Sequence, residues 1–348
     1  MASLFAVRVR AYSAAHFEYS ESITLPWADA TAKLQSEYTG GTDGRAYAVT
    51  IHCEIHGVAD SLDDAQRRLT PVLGNTLSVV ALAANASVAD PLVLAVHGLD
   101  LTEPQPFLGH QTPQGWDWFP TGRRLINAEA THALIASLIL NQDSGLLRQA
   151  IESYRQSLAH WTPEQRLLAG EFLSSAAETL SRYLVETRAA ARGMSPKNLA
   201  KLVKAKDVDS LRWQILVQDI FARDEEAVTA MREASNGFEH GYMAADQVRG
   251  LFEPILERSM GHVRRALIQA SGVDAEAQRR MLAPEYKEPR GLVPAIWVVT
   301  GELSRADTSK PAPAVDTVRI ELGWTRPKPI AIKRESGEVD ISFPWTVQ

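Results

Sequence analysis

Arg232-Glu233-Ala234-Ser235-Asn236-Gly237-Phe238-Glu239-His240-Gly241 sets an arginine, an amide and a histidine at successive steps of four along one expected helix. Residues four apart share nearly one helix face, so Asn236 is within reach of both Arg232 and His240. A guanidinium, an amide and an imidazole together suit phosphate chemistry: a cation for an oxyanion, an orienting dipole and a proton shuttle. The spacing also limits the set. An offset of eight separates the Arg232 and His240 backbones by about 12 Å along the axis with roughly 80° of rotation. Helical side chains lean toward the N-terminus, so Arg232 leans away from His240. A π-bulge near Gly237 would absorb one residue and bring the two closer. The same residues also make an ordinary polar pair at i, i+4, with Gly237 and Gly241 admitting close helix packing.

Working outward, residues from about Arg124 to Pro284 read as almost wholly helical. Leu125 to Leu140 and Gly145 to Ala159 are expected helices joined by Asn141-Gln-Asp-Ser. Thr162-Pro163-Glu164-Gln165 combines an N-cap, a proline at the first helical position and a capping-box glutamine, opening a helix to about Ala191 that Gly193 ends. Ser195-Pro196 starts a shorter helix, Asp209 caps another through Phe221, and Asp224 caps the helix bearing the motif. A last helical span runs from about Ala244 to Ser271 with a bend at Pro254.

Both flanks read as β-rich. Phe5-Ala-Val-Arg-Val-Arg and Tyr47-Ala-Val-Thr-Ile-His-Cys-Glu-Ile alternate with the period of half-buried strands, and Leu92-Val-Leu-Ala-Val-His reads as a more buried one. Between them Ser61 or Asp63 caps a helix to about Ala84, with Leu69, Val72, Leu73, Leu77 and Val80 inward and Pro71 a potential kink. Ala295–Thr300, Val318–Leu322, Ile330–Lys333 and Val339–Phe343 are expected strands, with a turn at Ser336-Gly337. The C-terminal strands are placed to pair with the N-terminal ones and clasp the helical unit. The expected organisation is residues 1–122 as a mixed β/α domain, 123–285 as a helical bundle and 286–348 as a β extension.

Composition sets bounds. With 45% hydrophobic and 22% charged residues the chain is that of an ordinary globular protein. A net charge of −6 gives no global attraction to nucleic acid, so such binding needs a local basic patch. The single cysteine, Cys53, excludes an intrachain disulfide and fits a reducing compartment. The N-terminus alternates apolar and polar residues instead of forming a signal-type core, and no segment supplies the ~20 apolar residues of a membrane span. A cytoplasmic location with no membrane association is the expectation.

The helical zone resembles HEPN domains, a family of small helical bundles. Ile151 to Trp161 and Arg166 to Leu180 look like the family's first two helices, and Arg232 to Gly241 looks like its arginine-to-histidine helix ending in His-Gly. The likeness covers residues from about 144 to 271 and leaves both β zones outside it. Seven residues separate Arg232 from His240, one more than the family's longest usual spacing, and Glu233 stands where an amide often follows the arginine. The resemblance implies an α+β chain: a central HEPN-like α-helical bundle, dimeric through that bundle, flanked by N-terminal α/β and C-terminal β-strand elements. It implies an RNA-directed protein of bacterial defence or stress, with metal-independent endoribonuclease activity and no cofactor. His240 would then act as general base or acid, Arg232 would stabilise the charged transition state, Asn236 would orient the phosphate or the imidazole, and Glu178 would hold a site residue. His240 could also meet Arg232 of a second copy. The alternative is a catalytically silent HEPN-like module for dimerisation, ligand or partner binding.

Other clusters offer competing chemistry. Between Arg182 and Lys206 seven basic residues stand against Glu186 alone. Arg192, Lys197, Lys201 and Lys204 are the candidate RNA-binding residues, the three lysines sharing one expected helix face; a solvated helix face has the same appearance. Arg258, His262, Arg264 and Arg265 form a second basic cluster. His52, Glu54 and His56 share one face of a strand in a pattern that could ligate zinc or iron but equally marks a half-exposed strand; a metal-dependent enzyme is the third reading, and no metal is assigned. Trp116, Asp117, Trp118 and Phe119 lie in a Pro- and Gly-rich loop suited to plugging a domain junction.

Overall fold

A computed structural model describes residues 3–27, 30–40, 46–99, 107–109, 124–140, 145–162 and 165–291, with four short C-terminal strand segments. The chain divides into two compact units, Met1–Pro294 and Ala295–Gln348. The architecture is mixed α+β. In the first unit, strands β1 (Ser3–Tyr12), β2 (Ala15–His16), β3 (Ser22–Trp27), β4 (Ala30–Gly40) and β5 (Ala46–Ala59) precede helix α1 (Leu62–Ala84). Strands β6 (Leu92–Gly98), β7 (Phe107–Gly109) and β8 (Arg124–Leu125) follow. Next come α2 (Ala128–Leu140), α3 (Gly145–Ala159), α4 (Arg166–Ala190), α5 (Pro196–Leu202) and α6 (Val208–Ile215). The last helices are α7 (Glu225–Glu239), α8 (Ala245–Phe252), α9 (Leu256–Ala270) and α10 (Ala275–Met281). The second unit contains β9 (Ile320–Glu321), β10 (Lys328–Ile332), β11 (Val339–Ser342) and β12 (Thr346–Val347).

The N-terminal sheet is antiparallel in the order β3-β4-β5-β1-β6-β7. Its alternation is strict in the centre: Val7, Val9 and Ala11 of β1 and Ile51, Cys53 and Ile55 of β5 are buried, while Arg8, Arg10, His52 and Glu54 point the other way. Burial without a partner pushes the Cys53 thiol well above its usual range, so it behaves as a small core hydrophobe. β6, expected to be a more buried strand, is only half-buried apart from Val96. The described C-terminal strands pair among themselves, β10 with β11 and β12 with β9. The expected strand at Ala295–Thr300 and the turn at Ser336-Gly337 lie outside the described residues.

Helix α1 joins sheet to bundle. Ser61 caps it by accepting the Asp64 N–H, and Pro71 lies inside it without interrupting its span. Leu69, Leu73, Leu77 and Val80 are buried as the amphipathic pattern requires. From Thr76 to Ala84 every residue is buried, because α2, α3 and α9 pack on the sides that the sheet leaves open. One continuous hydrophobic core therefore runs from the sheet through α1 into the helices, across the boundary expected near residue 122.

The C-terminal end of α1 would bury several carbonyls that have no intrahelical donor. Two buried arginines satisfy them. Arg264 of α9 donates to Leu82 O at 2.9 Å and Ala83 O at 2.7 Å, and also to Met281 O at 2.7 Å. Arg124 donates to Ala84 O, Asn85 O and Glu288 O. Asn85 takes the left-handed conformation at φ 49° as C-cap, and its side chain binds Tyr286 O, Lys287 O and the Tyr154 hydroxyl. The positive guanidinia also oppose the negative end of the helix dipole. Full burial lowers the Arg264 pKa to about 10, still charged at neutral pH.

α4 is the axis of the remaining bundle, with α3 and α5 to α9 around it. It starts at Arg166 with Gln165 as N-cap and no side-chain cap bond, rather than from a capping box at Thr162. Gln165 instead meets the His160 ring at 2.7 Å. Gly170 is required where α8 crosses, since a Cβ there would lie 2.7 Å from the Phe252 ring. The span from Ala244 to Ser271 is two helices, α8 and α9, separated at Pro254. Among the described residues no helix is long and apolar enough to cross a membrane.

Candidate functional site

α7 carries the opening motif. Asp224 caps it through the Ala227 N–H, and Ala227, Val228, Met231, Ala234 and Ser235 form its buried face. Arg232 is exposed beside that face and Asn236 is half-buried. The helix is regular through Glu239, so the π-bulge considered near Gly237 is absent there. Gly237 serves packing, because a Cβ would lie 2.5 Å from Met243 Sδ, and Gly241 turns the chain at φ +65°. His240 is the exposed C-cap, its N–H bonded to Asn236 O at 3.1 Å. Among the described residues no side-chain hydrogen bond joins Asn236 to Arg232 or His240.

A π-helical segment does occur at Leu216–Ile220, directly after α6. Ala222 and Arg223 follow it in the left-handed region at φ 51° and 71°, a conformation that costs a non-glycine residue roughly 1 kcal/mol or more. The segment sets α6 against α4 and α7 and opens a pocket of about 300 Å³ among the three helices. Leu216, Phe221, Val228 and Met231 form an apolar part of its wall. Its polar lining comprises Glu178 and Arg182 of α4, Asp209, Arg212 and Trp213 of α6, and Arg232 and Asn236 of α7. Three of the four residues expected to act together, Glu178, Arg232 and Asn236, thus line one pocket, and His240 is not among its lining residues.

Electrostatics divide the pocket. The Arg232 guanidinium lies over the Trp213 ring, 5.0 Å from its centroid, a geometry of cation–π attraction. Arg212 pairs with Asp209 at 3.0 Å, and its Nε is buried with no acceptor among the described residues. Arg182 and Arg232 are in no ion pair there. Crowding by the protein raises the Glu178 pKa even though its side chain keeps solvent contact; the Glu239 charge adds to this, and Arg182, Arg232 and Arg212 oppose it.

Sequence reading missed Glu171, one heptad before Glu178 on α4. Its Oε2 accepts from Ser235 Oγ at 3.1 Å and its Oε1 is buried without a partner. Burial chiefly, with the Glu239 and Glu178 charges, raises its pKa to about 7 against the Ser235 bond. The heptad of glutamates on an otherwise apolar helix face was the available signal.

The basic run has a different layout from the one expected. Arg192, Lys197, Lys201 and Lys204 are all exposed. α5 ends at Leu202, however, and Lys204 sits beyond its cap at φ 59°, so it does not share a helix face with Lys197 and Lys201. The cap of α6 is Asp207, through Ser210 N–H, rather than Asp209. Most of the second basic cluster is neutralised or buried: Arg258 pairs with Asp224 and Glu226, His262 with Asp224, and Arg264 caps α1, while the half-buried Arg265 meets the His262 ring. Burial chiefly lowers the His262 pKa. On the sheet, Glu54 is held by Arg8 and His56, each at 2.5 Å. Among the described residues no group of three or more His, Cys, Asp or Glu is placed to hold a metal ion. Trp116, Asp117, Trp118 and Phe119 lie outside the described residues.

Compared with protein-family models, curated proteins and solved structures, the chain matches none.

Proposed function

We propose that this chain is an RNA-directed protein of the HEPN type that binds RNA phosphates across α4, α5 and α7. The observation that carries the reading is the convergence of Arg232, Asn236 and Glu178 with Arg182 and Arg212 on one pocket. Guanidinia bind phosphate oxygens by charge-assisted, often bidentate bonds, and the exposed Arg192, Lys197 and Lys201 extend positive charge beyond the pocket. Binding of a fluorescent single-stranded RNA across a salt series tests it. Affinity should fall steeply with salt, and Lys197→Ala with Lys201→Ala should reduce the slope by about one for each phosphate no longer neutralised. Salt-independent binding, or none at low salt, would remove the reading.

Cleavage is a further step, and the position of His240 outside the pocket favours the catalytically silent form within one subunit. A nuclease would use His240 of one copy against Arg232 of another in a homodimer formed through the bundle. The 2′-OH would attack the adjacent phosphorus as His240 takes its proton. The P–O5′ bond would break to give a 2′,3′-cyclic phosphate and a 5′-oxygen that takes its proton from water. Incubating RNA with chelator and either wild type or His240→Ala decides this: cleavage lost with the imidazole supports the nuclease, and equal cleavage in both sinks it.

A further inference from the structure

We infer that the α4–α6–α7 pocket receives a terminal phosphomonoester, the phosphate of a nucleoside monophosphate or of an RNA end, rather than an internal phosphodiester. The inference deepens the RNA reading and rests on it only for the larger of these two ligands. Charge comes first. Arg182, Arg212 and Arg232 line the pocket, and only Arg212 is in an ion pair, with the exposed Asp209. An internal diester carries a single charge, whereas a phosphomonoester carries close to two at neutral pH and offers three terminal oxygens. With Glu178 and Asp209 also on the lining the net charge is only slightly positive, so the match lies in donor number: three guanidinium forks for three terminal oxygens.

Donor geometry agrees. The Arg212 side chain is partly exposed on the pocket and its Asp209 partner is largely solvated, so its guanidinium N–H groups are available to a phosphate oxygen. Arg232 is positioned by the face of Trp213, not by a carboxylate, so its N–H edges are not committed to an ion pair. Glu178 has the opposite effect on an anion. Arg182, Arg232 and Arg212 act on its carboxylate and offset that repulsion.

Size and polarity supply the rest. About 300 Å³ is at the small end for ligand pockets and accommodates roughly one nucleotide, not a strand passing through. Phe221 and Met231 give a base apolar lining within the same pocket. The wall is shaped by the π segment and the two left-handed residues after it, and strained or π-helical backbone is concentrated at functional sites.

The test is calorimetric titration of the full chain with adenosine 5′-monophosphate, adenosine and inorganic phosphate, beside 12-nucleotide RNAs carrying a 5′-phosphate, a 3′-phosphate or neither. The monophosphate should bind at least tenfold tighter than adenosine and than inorganic phosphate, and one of the two phosphorylated RNAs at least tenfold tighter than the unphosphorylated one. Arg182→Ala and Arg212→Lys should each weaken the monophosphate at least tenfold while thermal unfolding stays at the wild-type temperature. Monophosphate binding without RNA binding supports the pocket and overturns the RNA reading. RNA binding that ignores terminal phosphate, with no monophosphate bound, overturns the pocket and leaves the RNA reading standing. Monophosphate affinity unchanged in both variants also overturns it.

Discussion

Replacing Arg264 by methionine removes the donor from three short buried bonds, to Leu82 O, Ala83 O and Met281 O, while keeping most of the side chain's volume. Leu82 O keeps the Asn85 N–H, and each of the other two buried carbonyls left without a donor costs about 1–3 kcal/mol, or about 2–6 kcal/mol together. The substitution also relieves the burial of a full charge that has no carboxylate partner, which returns several kcal/mol. The net expectation is a loss of about 2 kcal/mol, or about 4 °C in midpoint for a unit of this size. Arg264→Lys should also destabilise, because one ammonium cannot reach carbonyls at the ends of α1 and α10 together. Arg258→Met is the control: its ion pairs with Asp224 and Glu226 are surface-exposed and worth about 1 kcal/mol or less. Urea unfolding followed by circular dichroism and tryptophan fluorescence measures all three. An Arg264→Met protein within about 0.5 kcal/mol of wild type would refute the claim that this guanidinium closes the end of α1.

Glu171 has a folded pKa of about 7 against 4.5 unfolded, so it favours folding fully below pH 4.5 and loses that contribution as pH rises through 7. Glu171→Gln should therefore gain on wild type by about 1–3 kcal/mol between pH 5 and 8, and a stability difference that is flat with pH would contradict the assignment. Gly170→Ala should destabilise by about 1–2 kcal/mol, since overpacking against Phe252 exceeds the gain in helix propensity. Gly261→Ala in α9, where an added Cβ meets nothing within 4 Å, should stabilise by up to about 1 kcal/mol; the opposite order in a thermal melt would refute the packing argument.

The helices were legible because their ends carry local chemistry: Ser61, Ser195-Pro196 and Asp224 cap as read, and Pro254 divides the last long span. Strands β3 and β4 were not. Ser22–Trp27 contains Pro26, and Ala30–Gly40 alternates small and polar residues with only Ala32 and Leu34 fully buried, too weak a period to stand out. At the site, helical spacing alone placed Arg232 and Asn236 on adjoining parts of α7. Arg212 and Trp213 enter through a π segment and two left-handed residues that have no sequence signature. Arg264 read as surface charge within a basic cluster. What buries it is a helix end some 180 residues away, which composition cannot reveal.

Asn85 sets a timetable as well as a turn. Its side chain and carbonyl wait for Tyr286, Lys287 and Arg290, partners about 200 residues downstream. On a ribosome, the sheet and α1 emerge first, and Arg124 follows within about 40 residues for Ala84 O. Yet Ala83 O has no Arg264 until α9 has been made, and the Asn85 side chain has no Tyr286 until the segment after α10. So long a wait between making an element and finishing it raises the loop-closure cost of folding, and a nascent chain halted before residue 286 would carry a complete sheet on an unfinished helix.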